Sequence, residues 1–205
     1  MWNILLRNED MNGSLLVGIT GGIGSGKSFV CRKLESLGFS VYYCDDEAKR
    51  LMVSDEVRVG ELKKLIGENA YNSDGSLNKR LLAEFLFKNK SNANKVNSIV
   101  HPRVKTDILR WAESQSGKCL FVESAILFES GFDSIVDIRV LVYAPENVRL
   151  HRVMERDNIS DESVKKRMDA QMCDEIKRKK SDFCICNDGI SDVDIQIKHL
   201  LSSIC

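Results

Sequence analysis

Two prolines in 205 residues, and no proline- or glycine-rich tract, exclude collagenous and low-complexity chains and leave helices free to run. No apolar run approaches the roughly 18 residues that a membrane-spanning helix requires, so no membrane partner is expected. An excess of one charge is missing as well. Thirty Lys and Arg balance thirty Asp and Glu, which excludes the uniformly basic surface that holds nucleic acid by phosphate neutralisation. Three histidines, and seven cysteines without one CxxC pair, supply no metal-ligand spacing. An odd set of scattered cysteines in a chain of this size reads as reduced thiols and points to the cytoplasm. Cys184 and Cys186, two positions apart in an extended segment, are expected to share one strand face as a packed pair. Residues 1–6 lack the basic start, apolar core and cleavage site of a signal peptide. Residues 1–14 read as a flexible N-terminal extension, with Met11 as an alternative start. What the chain does have is 43% hydrophobic residues, enough for one domain with its own core.

Leu15-Leu16-Val17-Gly18-Ile19-Thr20 is a short apolar run closing on a glycine cluster, the pattern of a buried parallel strand that feeds a loop. Apolar residues at helical spacing follow over 28–37, and Gly38 supplies the stop. Residues 39–44 form a second candidate strand that closes on Asp45-Asp46, completing a βαβ unit. From 47 to 116 the pattern is helical, with a turn at Asn72-Ser73-Asp74-Gly75. An insertion of that length is too long for a connection and reads as a substrate-binding lobe. Strands are expected again over 118–128 and 135–143. Residues 146–180 form a charged helical stretch in which basic residues outnumber acidic ones. A last strand over 183–186 and an amphipathic helix over 193–204 close the chain. The predicted organisation is thus an α/β core of residues 15–46, 117–145 and 181–205, carrying a helical lobe at 47–116 and a lid at 146–180.

Gly21-Gly22-Ile23-Gly24-Ser25-Gly26-Lys27-Ser28 matches G-x-x-x-x-G-K-[ST], and each fixed position has a mechanical task. Glycines let successive backbone N–H groups turn inward as an anion nest, backed by the positive end of the following helix. Lys27 reaches the β and γ phosphates as a point charge, and the Ser28 hydroxyl suits Mg²⁺. Gly22, Ile23, Gly24, Ser25, Gly26, Lys27, Ser28 and Phe29 are the candidate nucleotide-binding residues. A GTPase would add a D-x-x-G switch and an N-K-x-D base reader, and neither follows Lys27. A small-molecule kinase fits better, and such an enzyme needs a base near the acceptor hydroxyl and a closing basic lid. Asp45 and Asp46 stand at the carboxyl end of a strand, where open α/β sheets place ligands. Asp45 is the candidate base; the competing reading is an N-cap for the helix that follows.

With these residues in place, the chain resembles the dephospho-coenzyme A kinase family over roughly residues 15–200. Gly18 to Ser28 is similar to the family's opening loop. Asp45, followed by Ala48, falls on the second aspartate of its Asp-x-Asp segment, with Tyr43 in place of the first. His101-Pro102 resembles a His-Pro expected at a helix start. Leu127-Phe128-Glu129 resembles the end of a Pro-Leu-Leu-Phe-Glu segment, with Ala125 in place of proline. Arg152 and Arg156-Asp157 resemble Arg-x-x-x-Arg-Asp, Arg167 and Gln171 resemble Arg-x-x-x-Gln, and Asp182, Ile185, Asn187 and Gly189 resemble the closing motif.

The resemblance implies a three-layer P-loop fold with a parallel sheet, ATP and Mg²⁺ as cofactors, and dephospho-CoA as the acceptor, phosphorylated on its ribose 3′-hydroxyl. It implies Asp45 as base, Arg156 on the transferring phosphate and Asn187 beside adenine. Glu123 is implied near the magnesium or the base, and His101, Glu129, Arg152, Arg167 and Gln171 at the substrate. Two further readings stay open: another P-loop nucleoside or nucleotide kinase, and a nucleotide-binding regulatory protein without catalysis. Oligomeric state is not legible.

Overall fold

Residues 13–205 are described by a computed structural model of the chain. All but the last two residues of the expected N-terminal extension therefore lie outside the described residues. The strands are β1 (Leu15–Thr20), β2 (Val41–Tyr43), β3 (Cys119–Glu123), β4 (Ile138–Tyr143) and β5 (Phe183–Cys186). The helices are α1 (Lys27–Ser36), α2 (Cys44–Ser54), α3 (Glu56–Ile66), α4 (Lys79–Lys88), α5 (Lys90–Ser114), α6 (Glu146–Asp157), α7 (Asp161–Asp169), α8 (Asp174–Lys180) and α9 (Val193–Ile204). The described residues divide into two compact units, Cys44–Arg110 and the described residues on either side of that segment.

In the larger unit the five strands are parallel and ordered β2-β3-β1-β4-β5. The central strand, β1, is buried beyond its first residue because both faces of the sheet carry helices. On one face Val17, Ile19, Phe121, Val140 and Val142 join Val30 and Leu34 of α1 and Ile197 and Leu200 of α9 in a single core. From the other face, Tyr42 of β2 packs on Trp111 of α5, ring centroids 5.3 Å apart. This is the three-layer α/β arrangement that the sequence predicts. The register sets Ile19 of β1 beside Glu123 of β3, so the carboxyl ends of the central strands line up where β1 enters its glycine loop.

Several elements differ from the sequence reading. The second strand starts at Val41 and α2 follows at Cys44, so Asp45 and Asp46 occupy the first helical turn instead of preceding it. β3 stops at Glu123 and turns follow, while β4 starts only at Ile138. The predicted Cys184–Cys186 packed pair does not form: in β5, an edge strand, Ile185 takes the core face and leaves Cys184 exposed. Nor are all seven cysteines reduced, because Cys119 and Cys205 form a disulfide with Cα atoms 6.2 Å apart. A sequence separation of 86 residues hides that neighbourhood from any spacing argument.

The smaller unit is helical. Asp55 caps α3, accepting from the Arg58 N–H at 3.3 Å and pairing with Arg103 of α5 at 2.5 Å. Arg50 of α2 reaches Asp107 of α5 at 2.8 Å, and Tyr71 donates to the Met52 carbonyl at 2.6 Å. His101-Pro102 does not open a helix: Pro102 lies inside the 25-residue α5, where it forgoes one backbone hydrogen bond while the flanking turns carry the helix through. No helix among the described residues is long and apolar enough to cross a membrane.

Candidate active site

The glycine loop joins β1 to α1, and its shape follows from what surrounds it. Gly26 takes φ +94, and a Cβ there would stand 2.0 Å from Asn187 Nδ2. A Cβ on Gly22 would stand 2.1 Å from Arg149 NH1. At Gly26 the positive φ favours glycine, and at Gly22 a Cβ would require the Arg149 guanidinium to shift. No side chain caps α1 at its first residue, so the positive end of that helix is open to an anion. Lys27 Nζ donates to the Gly21 carbonyl at 3.1 Å and lies 3.8 Å from Glu123 Oε1, both side chains nearly buried. Thr20 Oγ1 at the end of β1 and Ser25 Oγ in the loop are buried hydroxyls with no partner within the described structure. A buried unsatisfied hydroxyl is costly, and a phosphate-bearing ligand at this loop would relieve such a cost.

Ser28 is exposed on the first turn of α1. Phe29 is exposed too, its ring 4.9 Å from the Lys33 ammonium. Behind the loop, burial, with the Glu123 carboxylate nearby, pushes the Cys31 thiol far above its ordinary range. Cys31 is therefore an inert core thiol. Burial and a 2.9 Å hydrogen bond to Glu35 likewise hold the Tyr43 phenol neutral.

Other residues singled out from the sequence gather around the loop. Asn187 Nδ2 donates to the Ser25 carbonyl at 2.9 Å, and the Asn187 carbonyl accepts from Arg152 NH1 at 2.9 Å. Gln171 Oε1 accepts from the Ile23 N–H at 2.8 Å. Glu129 Oε1 accepts from the Met172 N–H at 2.8 Å and lies 3.3 Å from Lys177 Nζ. Arg156 and Arg167 do not face the loop peptides in this way. Both pair with Asp157, at 2.7 Å each, and the Arg156 side chain is 62% exposed.

Three residues that the sequence reading did not single out sit in the same cluster. Arg149 packs against Gly22 and pairs with Asp174 at 3.0 Å, both nearly buried. Lys177 is fully buried and donates to the Ala125 carbonyl at 2.7 Å. In the sequence Arg149 and Lys177 are two basic residues among many over 146–180, and only tertiary placement separates them from their solvated neighbours.

In the smaller unit, Asp45 lies exposed on the first turn of α2. Burial holds the His101 imidazole of α5 below its usual value, so it is neutral at pH 7. A cavity of about 930 Å³ opens between α2 and α4. Its floor includes Met52, Val53, Leu77 and Leu82, and Lys49 and Lys79 supply its charge. Asp45, Lys49 and Met52 follow one another at spacings of four and three, so they share a face of α2.

Comparison with known proteins agrees with the fold. The sequence profile of the dephospho-CoA kinase family matches residues 15–192. A dephospho-CoA kinase of Bacteroides fragilis is 45% identical over 192 residues, covering 92% of each chain. A crystal structure of a Thermus thermophilus protein, 34% identical, superposes with a TM-score of 0.81 over 94% of this chain and 98% of that one. The dephospho-CoA kinase of Campylobacter jejuni, 27% identical, gives a TM-score of 0.67 over 92% of this chain and 96% of its own.

Proposed function

The chain belongs to the dephospho-CoA kinase family, and from that premise we propose how its own residues phosphorylate dephospho-CoA with ATP, the last step of coenzyme A biosynthesis. The observation that carries the reading is the glycine loop at the uncapped start of α1, with Lys27 over it and two unsatisfied hydroxyls beside it. ATP phosphates occupy the nest, and Lys27 exchanges the Gly21 carbonyl for β and γ oxygens. Ser28 and Glu123 offer hard oxygen donors of the kind magnesium prefers, Ser28 directly and Glu123 through water. Bound there with ATP, the ion would draw negative charge from the phosphate oxygens. Asn187, tied to the Ser25 carbonyl, holds the loop from the side on which adenine is expected.

Asp45 takes the proton from the ribose 3′-hydroxyl as that oxygen forms its bond to the γ phosphorus, and the bond to the β–γ bridging oxygen breaks to release ADP. The cavity beside Asp45 suits the rest of the acceptor. Its lysines match a diphosphate and its apolar floor matches the pantetheine arm. Lys49 is paired with Asp46 at 2.7 Å on the surface, an exposed pair that is easily exchanged for phosphate. Arg156 and Arg167 can trade Asp157 for phosphoryl oxygens on the same grounds, and His101 supplies a neutral contact to the acceptor. Cytoplasmic residence belongs to the same reading; five cysteines are free, two of them exposed, while Cys119 and Cys205 are bridged.

Asp45→Asn tests the assignment. It should bind ATP as the unaltered protein does, by calorimetry, yet transfer phosphate about 10²–10⁴-fold more slowly. Near-normal turnover in that variant excludes Asp45 as the base.

A further inference from the structure

We infer that Gln171 is a positioning residue of the phosphate loop, and that residues 171–177 form a brace that makes the shape of the loop and the seating of the lid one equilibrium. The inference rests on the nucleotide reading of the loop. Gln171 carries its acceptor to the middle of the loop, where Ile23 is flanked by Gly22 and Gly24. A glycine-rich loop has the most backbone freedom to lose when a ligand orders it. A hydrogen bond to its central peptide removes part of that freedom beforehand, and ligand binding no longer bears the whole ordering cost.

The glutamine is itself held. The next residue, Met172, donates its N–H to Glu129 Oε1 at 2.8 Å. That oxygen lies 3.3 Å from Lys177 Nζ, which also donates to the Ala125 carbonyl at 2.7 Å. Ala125 and Glu129 belong to the turns that follow β3, so the segment is pinned to the sheet's own connections at both of its ends. Between these pins, Asp174 pairs with Arg149 at 3.0 Å. The pair lies directly against the loop: a Cβ on Gly22 would meet Arg149 NH1 at 2.1 Å and Asp174 Oδ1 at 3.1 Å. An apolar side chain in place of Lys177 would fill its volume but tie neither Ala125 nor Glu129. Within the brace, Gln171 is engaged through Oε1 and Glu129 through Oε1.

Coupling of this kind is reciprocal. Whatever factor the brace adds to the affinity for phosphate-bearing nucleotides, those nucleotides add to the stability of the brace. Adenosine, which has no phosphate, should be indifferent to it.

Gln171→Ala provides the test. KM for ATP should rise about five- to tenfold, the worth of one hydrogen bond, with kcat and the KM for dephospho-CoA held within about twofold. ADP should weaken as a ligand by the same factor while adenosine does not. Amide hydrogen exchange supplies a readout independent of turnover: ADP should slow exchange at Ile23 and Met172 in the unaltered protein, and the variant should lose that protection at Met172. Glu129→Gln, which keeps an acceptor for Met172 but removes the charge facing Lys177, should show a smaller effect in the same direction. A rise in the KM for dephospho-CoA alone would overturn the inference by placing Gln171 at the acceptor. Unchanged KM values with unchanged exchange would overturn it by reducing the contact to packing. Failure of the unaltered protein to bind ADP would instead sink the nucleotide reading of the loop.

Discussion

A methyl group at position 26 would begin 2.0 Å from Asn187 Nδ2, on a backbone whose φ of +94 already disfavours any side chain. Gly26→Ala should therefore lose ATP binding by calorimetry and lower the urea midpoint by the equivalent of roughly 1–3 kcal/mol, while the sheet persists by circular dichroism. ATP affinity within twofold of the unaltered protein would show that the loop tolerates what its geometry forbids. This loop was legible in the sequence because backbone recognition of an anion leaves its requirement in the residues themselves, as glycines at fixed spacing. The lid arginines were not legible in the same way. Motif likeness selects Arg156, but that side chain pairs with the adjacent Asp157, whereas Arg149, two turns earlier on α6, lies against Gly22. Lys177 illustrates the same limit. Nothing in the string Lys177-Arg178-Lys179-Lys180 says which cation will be fully buried on the Ala125 carbonyl.

Between β5 and α9 the chain turns on Asp188, whose carboxylate accepts from the Ile190 and Ser191 N–H groups at 2.9 and 2.7 Å. These backbone hydrogen bonds favour its charged form and bring its pKa down to about 2. A carboxylate depressed in the folded state stabilises it at pH values above the unfolded pKa, and that contribution disappears as pH falls toward about 2. The urea midpoint of Asp188→Ala should thus lie below that of the unaltered protein at about pH 6, and the gap should close on acidification. A gap that stays constant with pH would show that the carboxylate charge plays no part in the turn. Elements of this kind were partly readable. β1 and β5 are bounded by residues that specify their ends, and α9 is capped by Asp192, which accepts from the Asp194 and Ile195 N–H groups. The run Ala125-Ile126-Leu127-Phe128 misled the reading of β3, since an apolar run buried in turns has the same composition as one buried in a strand. Pro102 misled the placement of a helix start, because a proline marks one only as a tendency, and α5 has enough length on either side to absorb one missing bond.

At the scale of the whole molecule, thirty charges of each sign are distributed so that anion sites are local. On the proposed reading, the nest of uncharged N–H groups with Lys27 takes one polyanion, and Lys49 and Lys79 on the smaller unit take another. Neutrality on average is therefore compatible with two phosphate-bearing substrates. The helical character of the insertion followed from hydrophobic period, the βαβ start from an apolar run closing on the glycine loop, and the three-layer parallel fold from the family resemblance. The Cys119–Cys205 disulfide did not, because it joins the start of β3 to the residue after α9, a proximity that exists only once the sheet is covered. Transfer of phosphate from ATP to dephospho-CoA is tested most directly by identifying the products. The purified protein is incubated with ATP, Mg²⁺ and, in separate reactions, dephospho-CoA, adenosine or AMP, and the acceptor and ADP formed are resolved chromatographically. CoA and ADP should form in equal amounts from dephospho-CoA, with the new phosphate on the ribose 3′-oxygen and far slower transfer to the truncated acceptors. ATP binding without CoA formation, or equal transfer to adenosine and AMP, would contradict the proposed transfer.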